Sequence, residues 1–152
     1  MDLIPLEKLA GKWHVVMSNF PMWLKGDKTQ PTFNYSLKTK GNVAGLKDEV
    51  TYQQRGKQHS IHGFNTPDHE KNTEFVWRGT GLLSFVSSKW KILYFSEAEG
   101  WALIFFERTR FTPEGFDVIT RVEKPNEKTI EHIRQKMHEM EVNTPLVLLQ
   151  PL

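Results

Sequence analysis

The chain has 152 residues, with 20 Lys and Arg against 18 Asp and Glu, six His, five Trp and no Cys. One domain of this size buries about 70% of its unfolded surface and needs no disulfide or metal to hold it. A net charge of +2 is too balanced for a nucleic-acid partner recruited by bulk charge, and no window approaches the ~18 uninterrupted apolar residues of a membrane-spanning helix. Aromatic residues, at 12%, are the compositional outlier.

Met1–Ala10 shows no apolar leader, and without cysteines nothing points to an oxidising compartment. The expectation is a cytoplasmic protein. Breakers then recur along the chain, at Gly26–Pro31, Gly41-Asn42, Arg55-Gly56, Asn65–Asp68, Gly79–Gly81, Glu99-Gly100 and Pro113–Gly115. They separate eight runs rich in β-branched and aromatic residues: 12–20, 31–38, 46–54, 57–64, 72–78, 90–97, 100–108 and 115–123. Several runs alternate with period two, as in Phe33, Tyr35 and Leu37 against Asn34, Ser36 and Lys38. Short antiparallel connections make a meander, and closing it into a barrel removes the exposed edges.

After Pro125 the period changes. Asn126 is placed to cap a helix, and Ile130, Ile133, Met137 and Met140 recur at the spacing of one helical face. That face should lie on the outside of the sheet. The run Trp101–Phe106 does not alternate, which fits a strand covered on both sides. The predicted fold is therefore all-β, an eight-stranded antiparallel up-and-down barrel with one C-terminal helix outside. Residues 1–141 hold barrel and helix; 142–152 form an apolar tail that packs on the barrel, contacts a second copy in a homodimer, or frays.

Gly11-Lys12-Trp13 opens the first strand and Arg121 closes the eighth, just before the helix. This combination resembles the lipocalin family, especially its bacterial, cytosolic-type members, over about 140 residues. The resemblance implies structural roles for Gly11, Trp13 and Arg121: the tryptophan plugs the barrel's closed end and the arginine packs over it. Ten-stranded fatty-acid-binding-type barrels place two helices after the first strand, and Pro21–Gln30 is too short for them.

Such a barrel either encloses one small ligand or is filled by its own side chains. Period-two alternation turns Met17, Tyr35, Tyr52, His62, Phe75, Trp77, Ile92 and Tyr94 inward, and Trp23 in the first connection is placed to cover the mouth. These are the candidate ligand-binding residues, for a small hydrophobic molecule such as a fatty acid, lipid, pigment or tetrapyrrole, within a binding or transport role. Two alternatives stay open: an isomerase or cyclase using Asp48 and His62, or a filled barrel serving as an interaction module. No catalytic motif and no His, Cys or carboxylate set with zinc spacing stands in the sequence, so no enzyme activity, metal or cofactor is expected. Neither nucleic acid nor an integral membrane contact is expected as a partner.

Overall fold

A computed structural model of the protein describes residues 1–150. Eight of its strands form the barrel: β1 (Gly11–Ser18), β2 (Thr29–Lys40), β3 (Val43–Gln54), β4 (Lys57–Pro67), β5 (Glu74–Gly79), β6 (Ser87–Ser96), β7 (Trp101–Phe106) and β8 (Gly115–Thr120). Each pairs antiparallel with the next, and β1 pairs with both β8 and β2, which closes the circle. All eight predicted runs are strands. The β3–β4 hairpin turns on Arg55 (φ 54°) and Gly56 (φ 74°), the doubly positive φ of a two-residue turn that follows the sheet twist.

Helix α1 (Leu6–Leu9) precedes the barrel, α2 (Pro21–Leu24) follows β1, and α3 (Glu127–Glu139) follows β8. The Asn126 side chain accepts a hydrogen bond from the Thr129 amide at 2.9 Å, the expected cap at the start of α3. Ile130, Ile133 and Met137 of α3 are buried against Met17, Trp101, Leu103 and Val118. A second, separate core lies inside the barrel, with Trp13, Phe33, Tyr35, Phe75, Trp90 and Ile104 in it. β7 alternates between the two cores, which is why Trp101–Ile104 is buried throughout.

Pairing between β1 and β2 stops at His14 and Thr32, next to Pro31, which has no amide hydrogen to donate. The freed edge of β1 is taken by the tail: β9 (Val147–Leu148) pairs with Met17 and Ser18, and the Leu149 amide donates to the Val16 carbonyl at 2.9 Å. Leu146 is buried under the same layer as α3. Of the three destinations open to the tail, residues 142–150 take the barrel surface; Pro151 and Leu152 lie outside the described residues. No helix among the described residues is long and apolar enough to cross a membrane.

Two bulges reset the alternation. In β1, Val15 faces Ile119 and Met17 faces Val118, so Val16 is extra. In β6, Ile92 faces Ile104 and Tyr94 faces Leu103, so Leu93 is extra. A bulge puts two residues opposite one and flips the face of everything beyond it. Both flips turn side chains from the barrel interior toward α3.

Candidate functional site: an aromatic cavity with two buried acids

One end of the barrel is shut. Trp13 is buried to 1% exposure and its indole nitrogen donates to the Leu9 carbonyl at 2.9 Å. The Arg121 guanidinium carbon stands 3.7 Å from the Trp13 ring centroid, and its nitrogens donate to the carbonyls of Lys8 (2.8 Å), Ala10 (2.9 Å) and Lys12 (3.2 Å). A cation on an indole face and a planar fork satisfied by main-chain oxygens reinforce one another. Gly11 has a φ of 105°, and a Cβ there would press on Arg121 at 3.0 Å. Glycine is the residue that leaves both backbone and guanidinium where they are.

The other half of the barrel holds a cavity of about 260 Å³. Its walls are Phe33, Tyr35, Val50, Ile61, Trp77, Trp90 and Phe106; α2 contributes Met22 and Trp23 at the mouth, and the β7–β8 loop contributes Thr109, Phe111 and Thr112. The rings are packed on one another: Phe75 stacks on Trp90 at 4.6 Å, and Trp90 on Tyr35 at 6.1 Å, between centroids. Gly63 makes room for Trp77, since a Cβ there would collide with the indole. Trp90 is held by Asn65, whose side-chain oxygen accepts from its indole nitrogen at 2.9 Å.

Two carboxyls line this apolar space. Asp48 on β3 is 5% exposed and Asp117 on β8 is 1% exposed. One oxygen of each, Oδ1, has no hydrogen-bond partner. Burial pushes the Asp48 carboxyl up to about 7, against the opposing pull of Asn65 and Trp77, and burial pushes Asp117 up to about 7 against the Ser18 hydroxyl. Tyr35, the register partner of Asp48, is raised well above its ordinary value by burial and then by the fields of Asp48 and Asp117.

The sequence-predicted residues divide. Tyr35, Phe75, Trp77 and Ile92 face the interior, Tyr52 packs against it, and Trp23 caps it, edge-on to Tyr52 at 5.9 Å. Met17 and Tyr94 do not reach the interior: the bulges at Val16 and Leu93 turn them to the α3 side, where Tyr94 packs on Trp101 at 4.9 Å. His62 also faces outward, its side chain 49% exposed, 3.8 Å from Glu49. β4 turns the face with His59, Ile61 and Gly63 inward, opposite Tyr52, Val50 and Asp48, so His62, with Ser60 and Phe64, belongs to the outer face. With His62 outside, an Asp48–His62 pair has no common space. Phe33, Trp90, Phe106 and Asp117 are lining residues that the sequence reading did not select. Asp117 carried the same signal as Asp48, a carboxylate two positions from an inward aliphatic (Ile119) on an apolar strand.

A larger crevice of about 460 Å³ lies between the parted ends of β1 and β2, the tail and the start of α3. Apolar side chains such as Val15, Ile130 and Leu149 line it together with the charged Lys28, Glu123 and Lys124. It lacks the buried, unpartnered acids that mark the interior cavity, which is the candidate site. Among the described residues, no cluster of three or more His, Asp or Glu is placed to hold a metal ion.

No family model matches the chain, and no curated protein matches it by sequence. Solved structures do. Insecticyanin from the tobacco hornworm Manduca sexta superposes with a TM-score of 0.72 at 13% identity, covering 100% of this chain and 83% of that one. Lobster apocrustacyanin A1 gives 0.65 at 12%, over 93% and 77%. The siderocalin Ex-FABP, which functions through dual ligand specificities, gives 0.63 at 15%, over 88% and 87%. At these identities the likeness establishes the fold, which is that of the lipocalins, a barrel able in general to enclose a small hydrophobic ligand. It does not carry the narrower bacterial, cytosolic-type assignment. The cytoplasmic expectation is overturned: crustacyanin, insecticyanin and siderocalin are secreted barrels, and the lack of cysteines never specified a compartment.

Proposed function

We propose that this lipocalin-fold protein binds or carries a small, largely apolar molecule inside the aromatic half of its barrel. The observation that supports it most is the cavity itself, about 260 Å³ walled by Phe33, Tyr35, Trp77, Trp90 and Phe106 rather than closed by them. Drug-sized sites run from about 300 to 1,000 Å³, so the guest is a compact molecule. Association draws on burial of apolar ligand surface, roughly 25 cal/mol per Å². Met22 and Trp23, on the short helix α2, cover the entrance and would exclude water once the guest is seated.

Tryptophan fluorescence titrated with small neutral aromatic and aliphatic ligands tests this reading. Saturable quenching is expected, because Trp23, Trp77 and Trp90 line the cavity. Trp77→Ala should weaken binding by about 1–3 kcal/mol, the order of losing a buried ring contact. If no ligand of this size saturates the wild-type protein, the barrel is not a carrier.

A further inference from the structure

The cavity combines features that an apolar guest alone does not use. Asp48 and Asp117 are both buried, both line it, and each keeps one oxygen without a partner. No Lys, Arg or His is among the lining residues. Asn65, buried in the same interior, is by contrast partnered: it accepts from Trp90 and donates to the Leu46 carbonyl. An ionised carboxylate left unpaired in an apolar space is costly, and a cation beside it offsets that cost. The aromatic walls, with Tyr35, Trp77 and Trp90 in them, supply the second element, since aromatic quadrupoles attract a positive charge.

We propose that the guest is a small organic cation, a protonated amine on an apolar or aromatic body, with its ammonium held by a buried carboxyl of the cavity, Asp48 or Asp117, and by the aromatic walls. This rests on the cavity being a binding site, as proposed above, and narrows the chemistry of what enters it. A neutral guest leaves both acids unpaired. A fatty acid brings a third carboxyl to two that already lack a counter-charge. An ammonium donates up to three hydrogen bonds and supplies the charge the interior lacks.

Proton linkage gives the proposal a second signature. Burial keeps both carboxyls largely protonated below about pH 7. The titratable groups whose fields reach them are Tyr35 on β2, inside the barrel, and Glu49 on β3, on its outer face, and Ser18 on β1 is the polar neighbour of Asp117. None of these is a cation, so a bound ammonium is the group that ionises the acids, and its entry at neutral pH releases protons.

Calorimetric titration at pH 7 with three shape-matched ligands, 2-phenylethylamine, 2-phenylethanol and 3-phenylpropionate, separates the possibilities. The amine should bind about tenfold or more tighter than the alcohol, with the acid weakest. The heat of amine binding should change with the ionisation enthalpy of the buffer, and that of the alcohol should not. At pH 5, where both carboxyls hold their protons, the amine's preference over the alcohol should collapse. The double variant Asp48→Asn with Asp117→Asn should lose the preference for the amine over the alcohol; the pH series on wild type makes the same test without a variant. An alcohol that binds as tightly as the amine, or an amine preference unchanged at pH 5, overturns the cation while leaving an apolar carrier standing. Failure of all three ligands to saturate overturns the cation and the carrier together.

Discussion

The two halves of the barrel interior handle buried polar chemistry in opposite ways. At the closed end, one cation is half-buried and almost fully satisfied: Arg121 lies on Trp13 and donates to three main-chain carbonyls. Toward the mouth, two acids are buried deeper and each leaves an oxygen unpartnered. The same strands build both ends, so the difference lies in side-chain choice, not in backbone. A satisfied cluster stabilises the native state, whereas an unsatisfied one lowers stability and keeps interaction strength available to something that arrives later.

Breaking the closed end should have the largest effect. Trp13→Ala removes a fully buried indole and the surface on which Arg121 rests, a loss of about 3–5 kcal/mol. Arg121→Ala forfeits the cation–π contact and the hydrogen bonds from a charged donor, about 2–4 kcal/mol together. For a domain of this size that lowers the melting temperature by roughly 5–15 °C. Variants that still fold should bind ligand as wild type does. A melting temperature unchanged in Arg121→Ala would show that the two ends do not differ as described.

Relieving the open end should raise stability, and only in part of the pH range. Asp48 and Asp117 have native values of about 7, above the 3.8 of an unperturbed carboxyl. Between those limits the unfolded chain has released its protons while the native state keeps them, so native stability falls as pH rises from about 4 to about 7 and then levels off. The loss is on the order of a few kcal/mol per carboxyl. Asp48→Asn and Asp117→Asn should therefore stabilise the protein at pH 8, with a much smaller gain at pH 4, measured by urea unfolding at both. A gain independent of pH would mean that the carboxyls are not carrying charge into the interior.

The sequence reading succeeded where one face of a strand was marked by contrast and failed where it was not. Phe33, Tyr35 and Leu37 stand against polar neighbours, and the inward face of β2 follows from them at once. Val15-Val16-Met17 and Ile92-Leu93-Tyr94 are apolar without interruption, because both faces are covered. No polar residue there records the insertion of an extra one, so alternation alone does not reveal the bulges and puts Met17 and Tyr94 on the wrong side. In β4, alternation turns His62 inward, but His62 shares its face with Phe64, which packs outside over Gly45 with Lys40 above its ring. The small inward residue, Gly63, is set by Trp77 from the next strand, a long-range fact that local alternation does not contain. The cap at Asn126 and the apolar stripe of α3 are local, and they were legible.

The finest test of the open end lies in the register of β4. His59 stacks on Tyr52 at 5.4 Å, and Tyr52 meets Trp23 at the mouth. His62, three residues on, is turned to solvent beside Glu49. His59→Ala should loosen the support behind Tyr52 and Trp23 and weaken ligand binding by about 0.5–1 kcal/mol, the worth of one aromatic pair. His62→Ala, away from any packed feature, should leave affinity unchanged to within roughly 0.5 kcal/mol. The reverse result would slip β4 by one residue, and every inward assignment on that strand would change face with it. Ile61 would then leave the cavity wall, and Gly63 would no longer stand where Trp77 needs room. The two histidines, of the same type on one strand, thus report whether the cavity has the walls described.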